Sequence, residues 1–250
     1  MITTTTMISI SVKPPARRAE LRERVWFFMM RKVNSNADDD AVTMTTTITE
    51  GAPSAPAVWL PPAVLTLIST LLALGGDPVE RLLRYDRAAV LAGEWWRLLT
   101  GNFVHLGGWH LFLNGLSFVL LVFLCPERVS AREWLLRTVV IGTGMSLGLH
   151  FFVPSLATYV GLSGLVYGLF ALAFVRQTIG GDRLAAACLA FLAARIVWEL
   201  VIGAPASEEA LIGGGVVAES HLYGALAAVL YGAARGAFRR PSAAGSGAAA

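Results

Sequence analysis

Uncharged apolar runs long enough to cross the hydrocarbon core of a bilayer, roughly 17 to 25 residues, recur six times along this chain. They lie near 58–74, 104–124, 134–153, 158–175, 184–202 and 216–234. Nearly all of the charged residues fall outside them. Each run predicts a helix, and together they predict an all-α polytopic membrane protein with a six-transmembrane-helix core over 58–236. The first 57 residues break the pattern. Their Thr-rich runs, Asp38-Asp39-Asp40 and a Pro/Ala segment cannot bury enough apolar surface to order the chain, so 1–57 reads as a disordered cytoplasmic tail. The run Val25-Trp26-Phe27-Phe28-Met29-Met30 is too short for a span or a signal-peptide core, and no cleaved export signal is expected. Met44 offers an alternative start. Residues 237–250 read as a second flexible cytoplasmic tail.

Composition agrees with a bilayer-embedded chain. Hydrophobic residues make up 55% and charged residues 15%, with a mean hydropathy of +0.61, whereas soluble domains carry about 25% charge. The distribution of Lys and Arg orients the bundle, because positively charged loops stay cytoplasmic. With the N-terminus inside, cytoplasmic segments hold Lys13, Arg17, Arg18, Arg22, Arg24, Arg31 and Lys32, then Arg128, Arg132 and Arg137, then Arg176 and Arg183, then Arg235, Arg239 and Arg240. The opposite side holds Arg81, Arg84, Arg87 and Arg97. Both termini are therefore expected inside. The net charge of +3 follows from this topology and implies no nucleic-acid partner. Cys125 and Cys188 fall toward the cytoplasmic halves of their runs, where thiols stay reduced, and read as small buried apolar residues.

The chemistry-bearing residues lie at the exterior ends of separate runs. Gly161-Leu162-Ser163-Gly164 places a serine near the start of the fourth run, at the surface depth a water-using nucleophile needs. Gly161, Gly164 and Gly168 at helical spacing also fit a face where a neighbouring helix packs closely, and the tetrad alone is nearer to that reading than to an active site. His221 opens the sixth run on the same side, and a histidine in a membrane span is costly to bury. Gly224, Ala228 and Gly232 form a small-residue stripe that would let the sixth helix pack against the fourth and bring His221 to Ser163. Tyr167, one turn below Ser163, is placed to stack on the imidazole. In the second run His110 and Asn114 are four apart and share a helix face, offering two donors to a developing oxyanion.

The remaining polar residues are expected to be structural. His105 is read as a loop-to-helix anchor pointing away from His110, His150 as an interfacial side chain, Arg195 and Glu199 as an ion pair on one face of the fifth helix, and Glu127 as part of a solvated loop. His105, His110 and His221 lack a carboxylate or cysteine at ligand spacing, so neither a metal nor another cofactor is expected.

Taken together these motifs resemble the rhomboid family of intramembrane serine proteases. The matching residues are Trp96-Arg97, His105 with His110 and Asn114, Gly161-x-Ser163-Gly164 with Tyr167, and His221 with Gly224, in order over about 180 residues. The resemblance implies a six-helix rhomboid-like bundle with a Ser163/His221 dyad and no third acid. It also implies an oxyanion hole from His110, Asn114 and the Ser163 amide, with Tyr167, Gly161, Gly164 and Gly224 supporting the dyad. The segment from about 75 to 103 would lie partly in the outer leaflet, and the fifth helix would be a lateral gate. Ala228 stands where many rhomboids carry glycine. The stretches Gly93–Gly101, Trp198-Glu199 and Val216–Gly224 are similar to the rhombosortase subgroup, bacterial enzymes thought to process secreted proteins ending in a Gly-Gly motif, an apolar helix and a basic tail. The implied setting is a bacterial inner membrane, with the site facing the exterior and a membrane-anchored protein substrate entering laterally from the lipid.

Two other classes are weighed. An inactive rhomboid-like protein that holds membrane clients would usually lack the serine or the histidine, and both are here. A small transporter would call for inverted repeats, and none is visible in the sequence. An enzyme of this kind needs a neutral imidazole, so its activity should fall as the pH drops below the ordinary histidine range near 6.5.

Overall fold

The computed structural model describes residues 56–238. The expected N-terminal tail, its Val25–Met30 run and the alternative start at Met44 lie outside the described residues. Of the C-terminal tail only Ala237 and Phe238 are described, and Phe238 packs against the core.

Ten helices are described. In chain order they are α1 (Pro56–Ala73), α2 (Gly76–Leu83), α3 (Arg87–Leu91), α4 (Arg97–Thr100), α5 (Gly108–Leu124), α6 (Ala131–Phe152), α7 (Ser163–Ile179), α8 (Arg183–Ile202), α9 (Ala206–Ile212) and α10 (Ala218–Ala234). Each of the six apolar runs thus overlaps one long helix. Of these, α6 and α8 are long and apolar enough to cross a membrane alone, and α1 with α2 passes only as a pair bent by 118°. Helices α5 and α7 are apolar but only 17 residues long, or roughly 25 Å, near the lower limit for a span.

The described fold is mostly helical, as expected, and adds one short antiparallel pair, β1 (Tyr85–Asp86) with β2 (Thr158–Tyr159), in the register Tyr85↔Tyr159 and Asp86↔Thr158. The Arg87 amide donates to the Ala157 carbonyl and extends it. This pair moves the start of the fourth helix from 158 to Ser163. Residues 158–159 spend their backbone groups on β1, and an extended strand cannot also be a helical turn.

Helix α7 is central, with ten of its 17 residues buried. It packs most intimately against α10. In hydrocarbon no hydrophobic drive holds helices together, so close backbone approach through small residues has to do so. A Cβ on Gly168 would come within 2.6 Å of the Gly224 carbonyl oxygen, and one on Gly164 within 2.8 Å of the Ser220 carbonyl oxygen. Ala228 is fully buried in the same seam. Helix α8 is peripheral: only Ala185, Ile196 and Glu199 are buried, while Phe191, Trp198, Val201 and Ile202 face outward. With Phe112, Phe151 and Leu230 also exposed, the outer surface is one that hydrocarbon, not water, would solvate.

The segment between α1 and α5 is tied down by a buried arginine. Arg97 Nη1 donates to the Arg81 and Arg84 carbonyls at 2.8 and 2.9 Å, and Nε donates to Glu94 at 2.6 Å. Thr100 adds a 2.6 Å bond to the Leu83 carbonyl. Arg97→Lys keeps the charge but not the planar fork. It should cost about 2 kcal/mol, read as a lower thermal midpoint in detergent; an unchanged midpoint would show the fork to be dispensable. One polar expectation is extended and another revised. His150 is buried, with Nδ1 3.1 Å from the Tyr85 hydroxyl, so it also joins α6 to β1. Glu127 is not a solvated loop residue: it accepts from Arg137 at 2.8 Å, and Arg137 also binds Glu133, which accepts from the Tyr231 hydroxyl.

Candidate active site

The site is assembled on the turn that leads into α7. The Gly161 amide donates to the Gly101 carbonyl, and the buried Tyr159 hydroxyl donates to the Gly161 carbonyl at 2.9 Å. Burial pushes the Tyr159 phenol above its ordinary pKa, so it stays a neutral donor. Gly161 has φ +119°, and a Cβ there would also lie 2.7 Å from the His110 ring. Glycine is therefore required on two counts, for the left-handed backbone and for the close imidazole. Ser163 follows as the first residue of α7. It stands at a helix N-terminus, where the leading N–H groups have no acceptor within the helix, and not several residues inside a span.

His221 is the fourth residue of α10 and is buried. Its Nε2 lies 3.0 Å from Ser163 Oγ, and the Tyr167 ring stacks on the imidazole with centroids 3.9 Å apart and planes 6° from parallel. Its Nδ1 lies 2.6 Å from Glu199 Oε2. This third contact was not expected. Glu199 does pair with Arg195, at 2.7 Å, but it faces His221 with its other oxygen and its side chain is 0% exposed. Arg195 continues to Glu208 of α9 at 2.6 Å. An acid in the last turn of an apolar helix was the available signal; the i,i+4 rule named only one of its two partners.

His110 and Asn114 are both buried on one face of α5, and the Asn114 amide donates to the His110 carbonyl at 3.0 Å. With Tyr159, Ser163, Tyr167 and His221 they line one cavity of about 580 Å³, whose wall also includes Glu80, Arg84 and Glu208. His105 does not point away from His110: the two rings meet edge to face at 4.9 Å. Gly164 and Gly224 lie in the seam beneath, where a Cβ on Gly224 would overlap the Gly164 backbone. The arrangement offers a hydroxyl within hydrogen-bond reach of an imidazole, which is the requirement for general-base activation.

The sequence matches the family described as "Rhomboid domain" over residues 92–238, a range that contains Ser163, His221, His110, Asn114 and Glu199. It is also 35% identical over 83 residues to "Putative rhomboid protease YdcA" of Bacillus subtilis (strain 168), covering 32% of this chain and 41% of that protein. The chain thus spans about two fifths of the length of this curated relative. With the domain match covering more than half of its 250 residues, the chain belongs to the rhomboid family.

Proposed function

We propose that this multi-pass membrane protein is an intramembrane serine endopeptidase in which Ser163 is the nucleophile and His221 its base. The observation that carries this reading is the 3.0 Å approach of His221 Nε2 to Ser163 Oγ beside a cavity. Ser163 Oγ bonds to the scissile carbonyl carbon as its proton passes to Nε2. The resulting oxyanion is held by the Ser163 amide, His110 and Asn114, a class of contact worth roughly 100- to 1000-fold in rate per donor. The imidazolium returns the proton to the departing amine, and water repeats the sequence on the acyl-enzyme. Tyr167 holds the ring by stacking, and Gly161, Gly164 and Gly224 let the parts approach.

Rhomboid proteins act on membrane-embedded substrates, so the partner is a membrane-anchored protein entering laterally past the thinly held α8. We place the six long helices across a bacterial inner membrane with both termini cytoplasmic and the cavity facing the exterior. The similarity of Gly93–Gly101, Trp198-Glu199 and Val216–Gly224 to rhombosortases supports a finer reading, removal of Gly-Gly-type C-terminal anchors from secreted proteins.

Two measurements test this. Fluorophosphonate should label Ser163, and a co-expressed reporter ending in Gly-Gly, an apolar helix and an Arg-rich tail should be cut. Cleavage of an ordinary single-span reporter alone would leave a general rhomboid protease and remove the rhombosortase reading. Absence of both label and cleavage in folded protein would make the chain a client-binding protein.

A further inference from the structure

We propose that Glu199 is a positioning residue that sets the tautomer of His221, so that Ser163, His221 and Glu199 work as a triad and not as a pair. The inference rests on the reading of Ser163 as nucleophile. An ionised carboxylate can only accept. With Oε2 2.6 Å from Nδ1, the Nδ1 atom must carry the ring proton. Nε2 then presents its lone pair to Ser163 Oγ at 3.0 Å, the state in which it can remove the hydroxyl proton. In the opposite tautomer Nε2 carries a proton and can accept nothing.

The surroundings fit this role. The charged and titratable groups around the ring are His110 on α5, Tyr167 on α7, Arg195 and Glu199 on α8, and Glu208 on α9. Among the described residues only Glu199 bonds Nδ1. A fully buried carboxylate needs a counter-charge, and Arg195 supplies it on the other oxygen at 2.7 Å. Arg195 is held in turn by Glu208. A plain structural ion pair would be complete with Arg195 alone; it gives no reason for the second oxygen to meet the imidazole.

This geometry makes Glu199→Gln diagnostic. The Arg195 charge attracts the amide oxygen, which turns the amide NH2 toward Nδ1. A donor there selects the tautomer with its proton on Nε2, which cannot serve Ser163. In Ser-His-Asp enzymes the equivalent amide replacement costs on the order of 10⁴-fold. Full-length Glu199→Gln in detergent should therefore react with fluorophosphonate about 100-fold more slowly or worse, while Glu199→Asp stays within roughly tenfold of the parent. Adding Arg195→Met to Glu199→Gln frees the amide to turn its oxygen to Nδ1, and labelling should recover by about tenfold. Labelling of Glu199→Gln within about threefold of the parent, or a double variant no faster than the single one, would overturn the proposal. If the variants do not fold, ¹⁵N NMR of His221 in the unmutated protein decides: Nδ1 protonated and Nε2 bare is expected, and the reverse refutes it. A parent not labelled at Ser163 would instead sink the protease reading, and the NMR result would still judge Glu199.

Discussion

Ser163→Ala is expected to lower proteolysis by roughly 10⁴-fold or more, and His221→Ala by a similar factor, because each removes one member of a single catalytic unit. The double variant should be no worse than either single one, since losses within one catalytic unit do not add. The two differ in their cost to the fold. Removing one hydroxyl from Ser163 leaves the α7–α10 seam as it is, and the thermal midpoint should hardly move. His221→Ala strips Glu199 of its contact at Nδ1 and withdraws the ring that covers Tyr167, so that variant should also melt earlier. The check is the cleavage rate of a membrane-anchored reporter alongside the melting midpoint. Undiminished cleavage by Ser163→Ala would refute the assignment of the nucleophile, and loss of cleavage with loss of fold would be visible as such.

The long helices and several neighbours at the site were legible because they follow from one-dimensional rules. An apolar run of span length signals a helix whatever it packs against, so α1, α5, α6, α7, α8 and α10 each overlap one run. The four-residue step from Ser163 to Tyr167 places both on one face, and small residues at four-residue intervals mark where α10 can approach α7. What was illegible depends on partners distant in sequence. The β1–β2 pair is two residues long and joins Tyr85 to Tyr159, which leaves no periodic trace. Because 158–162 is as apolar as the helix after it, hydropathy alone could not separate strand, turn and helix. The rings of His105 and His110 meet because α5 begins only at Gly108, so His105 lies outside the helix and helical spacing does not govern its direction. Glu199 shows the limit best. A carboxylate has two oxygens, helical spacing accounts for the one facing Arg195, and the other finds an imidazole on α10 that no local rule could name.

That contact also alters how α8 is held. The helix buries only three of its 20 residues, and its half from Arg195 onward is joined to its neighbours through Glu199 to His221 and through Arg195 to Glu208. An outward displacement of this end would separate Glu199 from the imidazole. If His221 is the base proposed above, its Nδ1 keeps the Glu199 contact only while α8 holds this position.

Gly224→Ala should be the most damaging single-methyl change, lowering activity about 100-fold or more. A Cβ at 224 would collide with the Gly164 carbonyl group and lie within 2.7 Å of its carbon, and a rigid backbone cannot step aside as a side chain would. The two helices must part instead. Overpacking of this kind costs about 1–3 kcal/mol, a loss the fold can survive. The chemistry is less tolerant. Gly164 adjoins Ser163 and Gly224 lies one turn from His221, so parting the helices lengthens the 3.0 Å contact between Oγ and Nε2, and misplacement by about 1 Å can cost 100-fold. Gly107→Ala is the matched control: its backbone is extended, at φ −178°, and a Cβ there meets nothing within 4 Å. That variant should keep the parental rate to within about twofold. Fluorophosphonate labelling of the two variants, each paired with a melting curve, separates a displaced nucleophile from an unfolded protein. Parental labelling in Gly224→Ala would mean that the α7–α10 seam does not set the distance between serine and histidine.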